Sequence, residues 1–339
     1  MKTKFDSYCV EGITEGCKYC VRGEKLVLFV SGVCKRNCWY CSLSKKRKDK
    51  DIVFANEREC KSFKDILKEA EDSRATSAGI TGGDPLIFLD RTIKFASELK
   101  KKFGKRFHIH IYLPTKFVTE EKLEKLSKFV DEVRFHPEFL INKNSVDEDL
   151  KKISLTGKLW KKENIGIELP LIPDKKNEIL EFILKIKENV SFANLNEFEL
   201  SETNFARITK KYKLKEGGYV VDRSLESGKW ILEQLEKNKI NLKVHVCTAE
   251  LKNCWQFKNR LKRHKIFKYG KRTEDGNVIY LTTPGKLKMK KTIYDKEKNR
   301  TILSEEVAKT LLTKKKIFRI EEFPTYDRIE IEEEEIKNE

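Results

Sequence analysis

The sequence predicts an α/β chain built on a parallel sheet, with a cysteine-rich N-terminal extension and a small β-rich C-terminal domain. Three observations carry this. Between residues 26 and 250, short apolar runs of strand character alternate with segments of helical period, the pattern of a parallel sheet. Cys9, Cys17 and Cys20 lie among Gly12, Gly16 and Gly23 in the first 25 residues, and β-like runs return after residue 273, two of them joined at Pro284-Gly285.

The extension reads as a turn-rich loop with the pattern C-x7-C-x2-C. It has too little apolar surface to fold alone, so a metal is the expected organiser. The fourth ligand must then come from far away. Cys247, ending the apolar run Ile240 to Val246, is the first choice, with Cys254 and Cys60 as alternatives. If the strands close one barrel, the last lies near the first and brings Cys247 to the extension. The occupant is a second iron–sulfur cluster or zinc, against the plainer reading of free thiols packed as small hydrophobes.

The apolar run Leu26 to Val33 leads directly into Cys34, Cys38 and Cys41, spaced C-x3-C-x2-C with Tyr40 before the third cysteine. Such a triplet fits three irons of a 4Fe–4S cluster and leaves the fourth iron open to a ligand. Zinc knuckles pair cysteines as C-x2-C and ferredoxin runs use C-x2-C-x2-C, so the spacing favours the open cluster. The basic run Lys45 to Lys50 reads either as a guide for a phosphate backbone or as a solvated loop. Phe63, Ile66, Leu67 and Ala70 then mark a helix, and a strand at Ser77 to Ile80 runs into Gly82-Gly83-Asp84-Pro85. Glycines there allow the backbone close to a ligand.

At these motifs the chain resembles the radical S-adenosylmethionine (SAM) enzymes. The resemblance implies a partial (β/α)6 barrel over residues 26–250 and a 4Fe–4S cluster on Cys34, Cys38 and Cys41. It also implies SAM bound at the open iron and cleaved reductively to a 5′-deoxyadenosyl radical, which takes a hydrogen atom from substrate. Gly82, Gly83 and Asp84 occupy the family's Gly-Gly-Glu-Pro-like motif, which holds the SAM amino group; Asp84 is one methylene shorter than the usual Glu. Tyr40 sits beside the cofactor, and an electron donor such as ferredoxin or flavodoxin is implied. With its short barrel, the chain as a whole resembles archaeal radical SAM proteins described as related to pyruvate formate-lyase activating enzyme.

The alternation continues with strands at 107–113, 132–135, 165–169, 197–200 and 241–246, separated by helical patterns. Chemistry in such barrels sits at the carboxyl ends of strands, which nominates Thr115, Arg134, His136, Glu168, Glu199, Ser201, Glu202 and Asn204. By analogy the earlier ones contact SAM and the later ones face substrate. For Arg134 and His136 the plainer reading is a surface salt bridge and a satisfied histidine, and His108, His110 and His245 read as structural.

The net charge of +18, from 72 basic and 54 acidic residues, exceeds what ion pairing on a heat-adapted surface explains. A basic segment at 251–272 interleaves Trp255, Phe257, Phe267 and Tyr269 with lysines and arginines, a pattern able to grip RNA or to pack on the barrel. Transfer RNA is therefore the first expected substrate. The runner-up is protein or peptide modification, including glycyl-radical activation. A zinc-stabilised RNA-binding module without catalysis is the reading from a different class. The expected domains are 1–25, 26–250, 251–272 and 273–339, with Glu330 to Glu335 as a solvated acidic tail. No signal-peptide pattern or apolar run of about 18 residues is present, so a cytoplasmic protein without a membrane partner is expected.

Overall fold

The computed structural model describes residues 1–337. The chain opens with β1 (Tyr8–Val10), α1 (Glu15–Val21), β2 (Lys25–Phe29), β3 (Val53–Ala55), β4 (Arg58–Cys60), α2 (Phe63–Asp72) and β5 (Ser77–Thr81). Helices and strands then alternate: α3 (Leu89–Phe103), β6 (His108–Pro114), α4 (Glu120–Ser127), β7 (Glu132–His136), α5 (Val146–Ser154), β8 (Ile165–Leu171), α6 (Lys176–Ile186) and β9 (Phe192–Glu197). After α7 (Phe205–Ile208) and α8 (Ser224–Lys237), β10 (Lys243–Cys247) completes the sheet. Local chemistry sets these starts. Ser62 and Asp65 form a capping box on α2, and Thr14 accepts from the Cys17 amide at the start of α1.

The sheet order is β1-β10-β9-β8-β7-β6-β5-β2-β3-β4, parallel from β10 through β2 and antiparallel at both ends. β2 and β10 do not pair, so the parallel sheet is a partial barrel. Its curvature follows from its cavity, because one space of about 520 Å³ is lined from β2, β6, β7, β8, β9 and β10 together. Alternate residues face it: Lys25 and Val27, Tyr112 and Pro114, Arg134 and His136, Glu168 and Pro170, Asn194 and Asn196, His245 and Cys247. The intervening residues, including Leu26, Ile111, Leu113, Val133, Phe135, Ile167, Leu169, Leu195 and Val246, are buried in the main core, to which α2, α6 and α8 also contribute. The hydrophobic effect thus clothes the outside of the sheet and leaves a polar interior.

The N-terminal extension departs from the expected loop. It contributes β1, antiparallel to β10 with Cys9 opposite His245, and the helix α1. Direct pairing of β1, with no closure of the barrel, brings this segment to Cys247. The strand expected at 197–200 lies earlier, at β9, because the alternation of Phe192, Asn194 and Asn196 with Ala193 and Leu195 sets the register.

Residues 251–272 begin with a π-helical turn (Leu251–Phe257) and α9 (Lys258–Arg263). The aromatics expected to stack on bases are taken up in packing: Trp255 on Phe5, Phe257 on Phe323, and Phe267 on Tyr280. Arg260 forms a two-pronged pair with Glu57 (2.7 and 2.6 Å), and Arg263 donates to the Arg74 carbonyl. Gly23 lies so close that a Cβ there would meet the Arg260 amide nitrogen at 2.3 Å. Gly23 and Arg74 precede β2 and β5, so α9 lies at the amino ends of those strands, away from Cys34 to Cys41.

Beyond it, β11 (Lys271–Arg272), β12 (Val278–Pro284), β13 (Thr292–Asp295), β14 (Arg300–Leu303), α10 (Glu305–Leu311), β15 (Ile317–Glu322) and β16 (Glu330–Ile336) form a second, antiparallel sheet. The acidic run expected to be a solvated tail is β16, an edge strand. It pairs with β15 and sets Glu332 2.8 Å from Arg319. Its remaining charge blunts edge-to-edge association. The last two residues of the segment expected at 273–339 lie outside the described residues.

His245 ties the extension to the sheet, with Nδ1 donating to Asn194 Oδ1 (2.7 Å) and Nε2 accepting from Ser7 Oγ (3.0 Å). Burial, aided by Arg134, pushes its pKa from 6.5 down to about 4. The unfolded imidazole therefore takes a proton before the folded one does, and stability falls as pH drops from 6.5 towards 4, by up to about 3 kcal/mol from this group. Urea midpoints should decline through that window in the wild type and decline less in His245→Asn. Equal acid sensitivity of the two would contradict the assignment.

Candidate functional site

β2 ends at Phe29, and the next 23 residues to Ile52 form no helix or strand. This loop carries Cys34, Cys38 and Cys41, all half-buried and all lining the cavity. Gly32 closes its base, donating to the Lys50 carbonyl (2.8 Å) and accepting from the Asp49 amide (3.0 Å), and neighbours hold the rest. Arg36 reaches the end of β7, donating to the carbonyls of His136 (2.7 Å) and Pro137 (2.9 Å) and pairing with Glu138 (3.4 Å). From the other side, the segment after β9 bonds to its backbone. Thr203 donates to the Leu43 carbonyl (2.6 Å), Ser201 to that of Cys41 (3.3 Å) and Asn204 to that of Tyr40 (3.3 Å). Trp39 stacks on Tyr212 and meets Phe198 edge-on.

The Gly82-Gly83 turn closes the third side. Gly83 donates to the Ser31 carbonyl (2.8 Å) and Asp84 to that of Val33 (3.0 Å). A Cβ on Gly82 would stand 2.5 Å from the Ser31 oxygen, and one on Gly83 2.4 Å from the Val33 oxygen. The glycines are thus required first by the approach of two chain segments. Both line the cavity, whereas Asp84 does not; it turns inward, one carboxylate oxygen accepting from the Leu86 amide (2.9 Å) and the other buried without a partner. Burial pushes its pKa up to about 6.

Of the other expected residues, Tyr40, Arg134, His136 and Glu168 line the cavity. Thr115 does not: its hydroxyl donates to buried Asp149, which also accepts from the Glu138 and Phe139 amides. Ser201 and Asn204 are likewise off the cavity wall and hold the cysteine loop instead. Glu199 lines it and pairs with Lys252 (2.7 Å), while Glu202 accepts from the Lys45 amide. Lys25, Arg36, Tyr112, Asn194, Asn196 and Lys252 also line the cavity and were not expected to. For all but Arg36 and Lys252, alternation along the strands is the signal that finds them.

The wall is organised on Arg134. It binds Glu132 (2.6 Å), Glu168 (3.1 Å), Thr14 Oγ1 (3.0 Å) and Cys17 Sγ (3.4 Å), and Asn196 donates to the second Glu168 oxygen (2.8 Å). Burial opposes the charge on Glu168, but Arg134 and the hydrogen bond from Asn196 hold its pKa below the ordinary carboxylate value. Burial pushes His136 down to about 4, which keeps its imidazole neutral near pH 7.

The donor chemistry fits an iron–sulfur cluster at Cys34, Cys38 and Cys41. Three thiols face one cavity and the Arg36 amide points at the Cys34 sulfur (3.4 Å), a soft donor set open on one side. Cys17, Cys20 and Cys247 line the same cavity, while Cys9, Cys60 and Cys254 do not. Among the described residues no group of three or more His, Cys, Asp or Glu is closed up as a metal cage, in either trio.

Asn204→Ala removes the side-chain bonds to the Tyr40 carbonyl and the Ser201 amide. Amide exchange across residues 38–43 should rise about tenfold, the equivalent of about one hydrogen bond. Unchanged exchange would show that this clasp does not hold the loop.

The Radical SAM superfamily sequence model matches residues 28–189. A chain of Methanocaldococcus jannaschii named for a glycyl-radical enzyme activating enzyme is 38% identical over 275 residues, covering 79% of this chain and 72% of that one. Among solved structures, the radical SAM methyltransferase TsrM of Kitasatospora setae, with tryptophan and a SAM analog bound, overlaps 53% of this chain at 11% identity and TM-score 0.37. Its form with cobalamin and a [4Fe-4S] cluster overlaps 55% at 12% identity and TM-score 0.37. The match spans 37% and 36% of the length of those TsrM chains. With three thiols on one cavity at the carboxyl ends of a parallel sheet, this chain belongs to the radical SAM superfamily, in a group related to pyruvate formate-lyase activating enzyme.

Proposed function

We propose that this chain is an activating enzyme that takes a hydrogen atom from a glycine Cα of a partner protein. The observation that carries the reading is the 38% identity, over most of the chain, to a relative named for that activity. The site supports it. Cys34, Cys38 and Cys41 would hold the cluster where the polar cavity meets the Gly82-Gly83 edge. When bound, the 4Fe–4S cluster and SAM supply one electron and the radical carbon that accepts the hydrogen atom. The protein's own contribution is placement. Arg36, Thr203 and Asn204 fix the cysteine loop, and Trp39 packs it against Phe198 and Tyr212. Asn196 and Arg134 hold Glu168 ionised and aimed, and neutral His136 adds no competing charge. Asp84 supports the Gly-Gly turn through the Leu86 amide, leaving backbone groups of that turn to meet the amino end of SAM.

The residues that favoured transfer RNA lend it little support. The aromatics of 251–272 are packed, and Arg260 and Arg263 are committed to Glu57 and the Arg74 carbonyl. Among the described residues no helix is long and apolar enough to cross a membrane.

Cys38→Ala should abolish reductive SAM cleavage, measured as 5′-deoxyadenosine formed under dithionite; retained cleavage would refute the cluster assignment. Substrate class is read by adding host protein or host RNA fractions to reduced enzyme and SAM. The protein fraction should raise 5′-deoxyadenosine and yield a glycyl-radical signal in electron paramagnetic resonance. Stimulation by RNA alone would overturn the activating-enzyme reading.

A further inference from the structure

On the wall away from the cysteine loop, the cavity carries a second set of thiols that the reaction above does not use. Cys17 and Cys20 stand three residues apart on α1, on one face of the helix, and Cys247 ends β10 beside them. All three line the cavity. Cys247 packs with Val21 and Leu251, which fixes the end of β10 against α1.

Each sulfur faces a cation. Arg134 Nη2 lies 3.4 Å from Cys17 Sγ, the Lys25 ammonium faces Cys20, and Lys252 faces Cys247. The three cations differ in their other partners. Arg134 is balanced by Glu132 and Glu168, and Lys252 by Glu199. Lys25 pairs with no carboxylate among the described residues, although it opens a buried strand and lines the cavity. A lysine so placed needs an anion. Metal-bound thiolates beside it supply that charge.

We propose that Cys17, Cys20 and Cys247 bind a second, thiolate-ligated metal centre whose remaining coordination position opens into the cavity. Its occupant is a thiophilic metal, either an iron–sulfur cluster or zinc. Cys9, which the sequence spacing places with this group, is not a ligand: it stands on β1 and does not reach the cavity wall. The centre thus draws its ligands from one helix and from the last parallel strand, and it faces the catalytic cluster across the same space.

The full chain, prepared anaerobically, tests this without reference to turnover. Wild-type protein reconstituted with iron and sulfide should hold about eight irons, or about four with one zinc when zinc is also supplied. The combined variant Cys34→Ser, Cys38→Ser, Cys41→Ser should keep the second centre alone, seen as residual iron with its charge-transfer band, or as zinc. Adding Cys17→Ser and Cys20→Ser should strip it, and Cys9→Ser should not. Iron in the first combined variant identifies a cluster and zinc identifies a zinc site; either supports the centre. A wild-type chain with about four irons and no zinc would overturn the proposal. So would metal that survives loss of Cys17 and Cys20, or metal lost in a Cys9→Ser variant that stays folded by circular dichroism.

Discussion

The site depends on one constraint: three thiols must line one cavity although the loop that carries them forms no helix or strand. Beyond the Gly32 pairing at its base, the loop's shape is imposed from outside. Arg36 fastens it to the end of β7, Ser201, Thr203 and Asn204 bond to its carbonyls from beyond β9, and the Gly82-Gly83 turn presses on its first residues. Each contact joins segments far apart in sequence, so the three thiols come to one cavity only once the sheet has formed. A glycine at 82 or 83 is needed for the same reason, since any side chain would collide with the backbone leaving β2.

The second constraint is the inversion of polarity across the sheet. Apolar residues pack outward, and polar residues at alternate positions face the cavity. An unpaired charge there would be costly. Arg134 meets that cost by joining Glu132, Glu168, Thr14 and Cys17 in one network, which also locks α1 onto the sheet. His245 performs a similar task between β1, β9 and β10. The extension is thus organised by strand pairing and buried hydrogen bonds; this is why its turn-rich composition was a poor guide to its structure.

The cysteine triplet, the glycine pair, and Arg134, His136 and Glu168 were legible in the sequence because spacing and strand ends locate them. Tyr112, Asn194, Asn196 and Lys25 follow the same alternation but needed a correct register, and placing the sixth strand at 197–200 hid two of them. Thr115, Ser201 and Asn204 satisfied the rule that chemistry follows strand ends, yet their side chains are taken by Asp149 and by the cysteine loop. Sequence position cannot reveal such partners. The same holds for 251–272 and for Glu330 to Glu335: their charge was visible, whereas the neighbours that absorb it, Glu57, Arg319 and the Arg74 carbonyl, come from distant elements.

The central claim, that Cys34, Cys38 and Cys41 leave one iron open for SAM, is tested most directly by electron paramagnetic resonance of the reduced full chain before and after SAM is added. A SAM-dependent change in the cluster signal, absent when Cys38 is replaced, is the expected result. A reduced cluster whose signal does not respond to SAM would contradict the account.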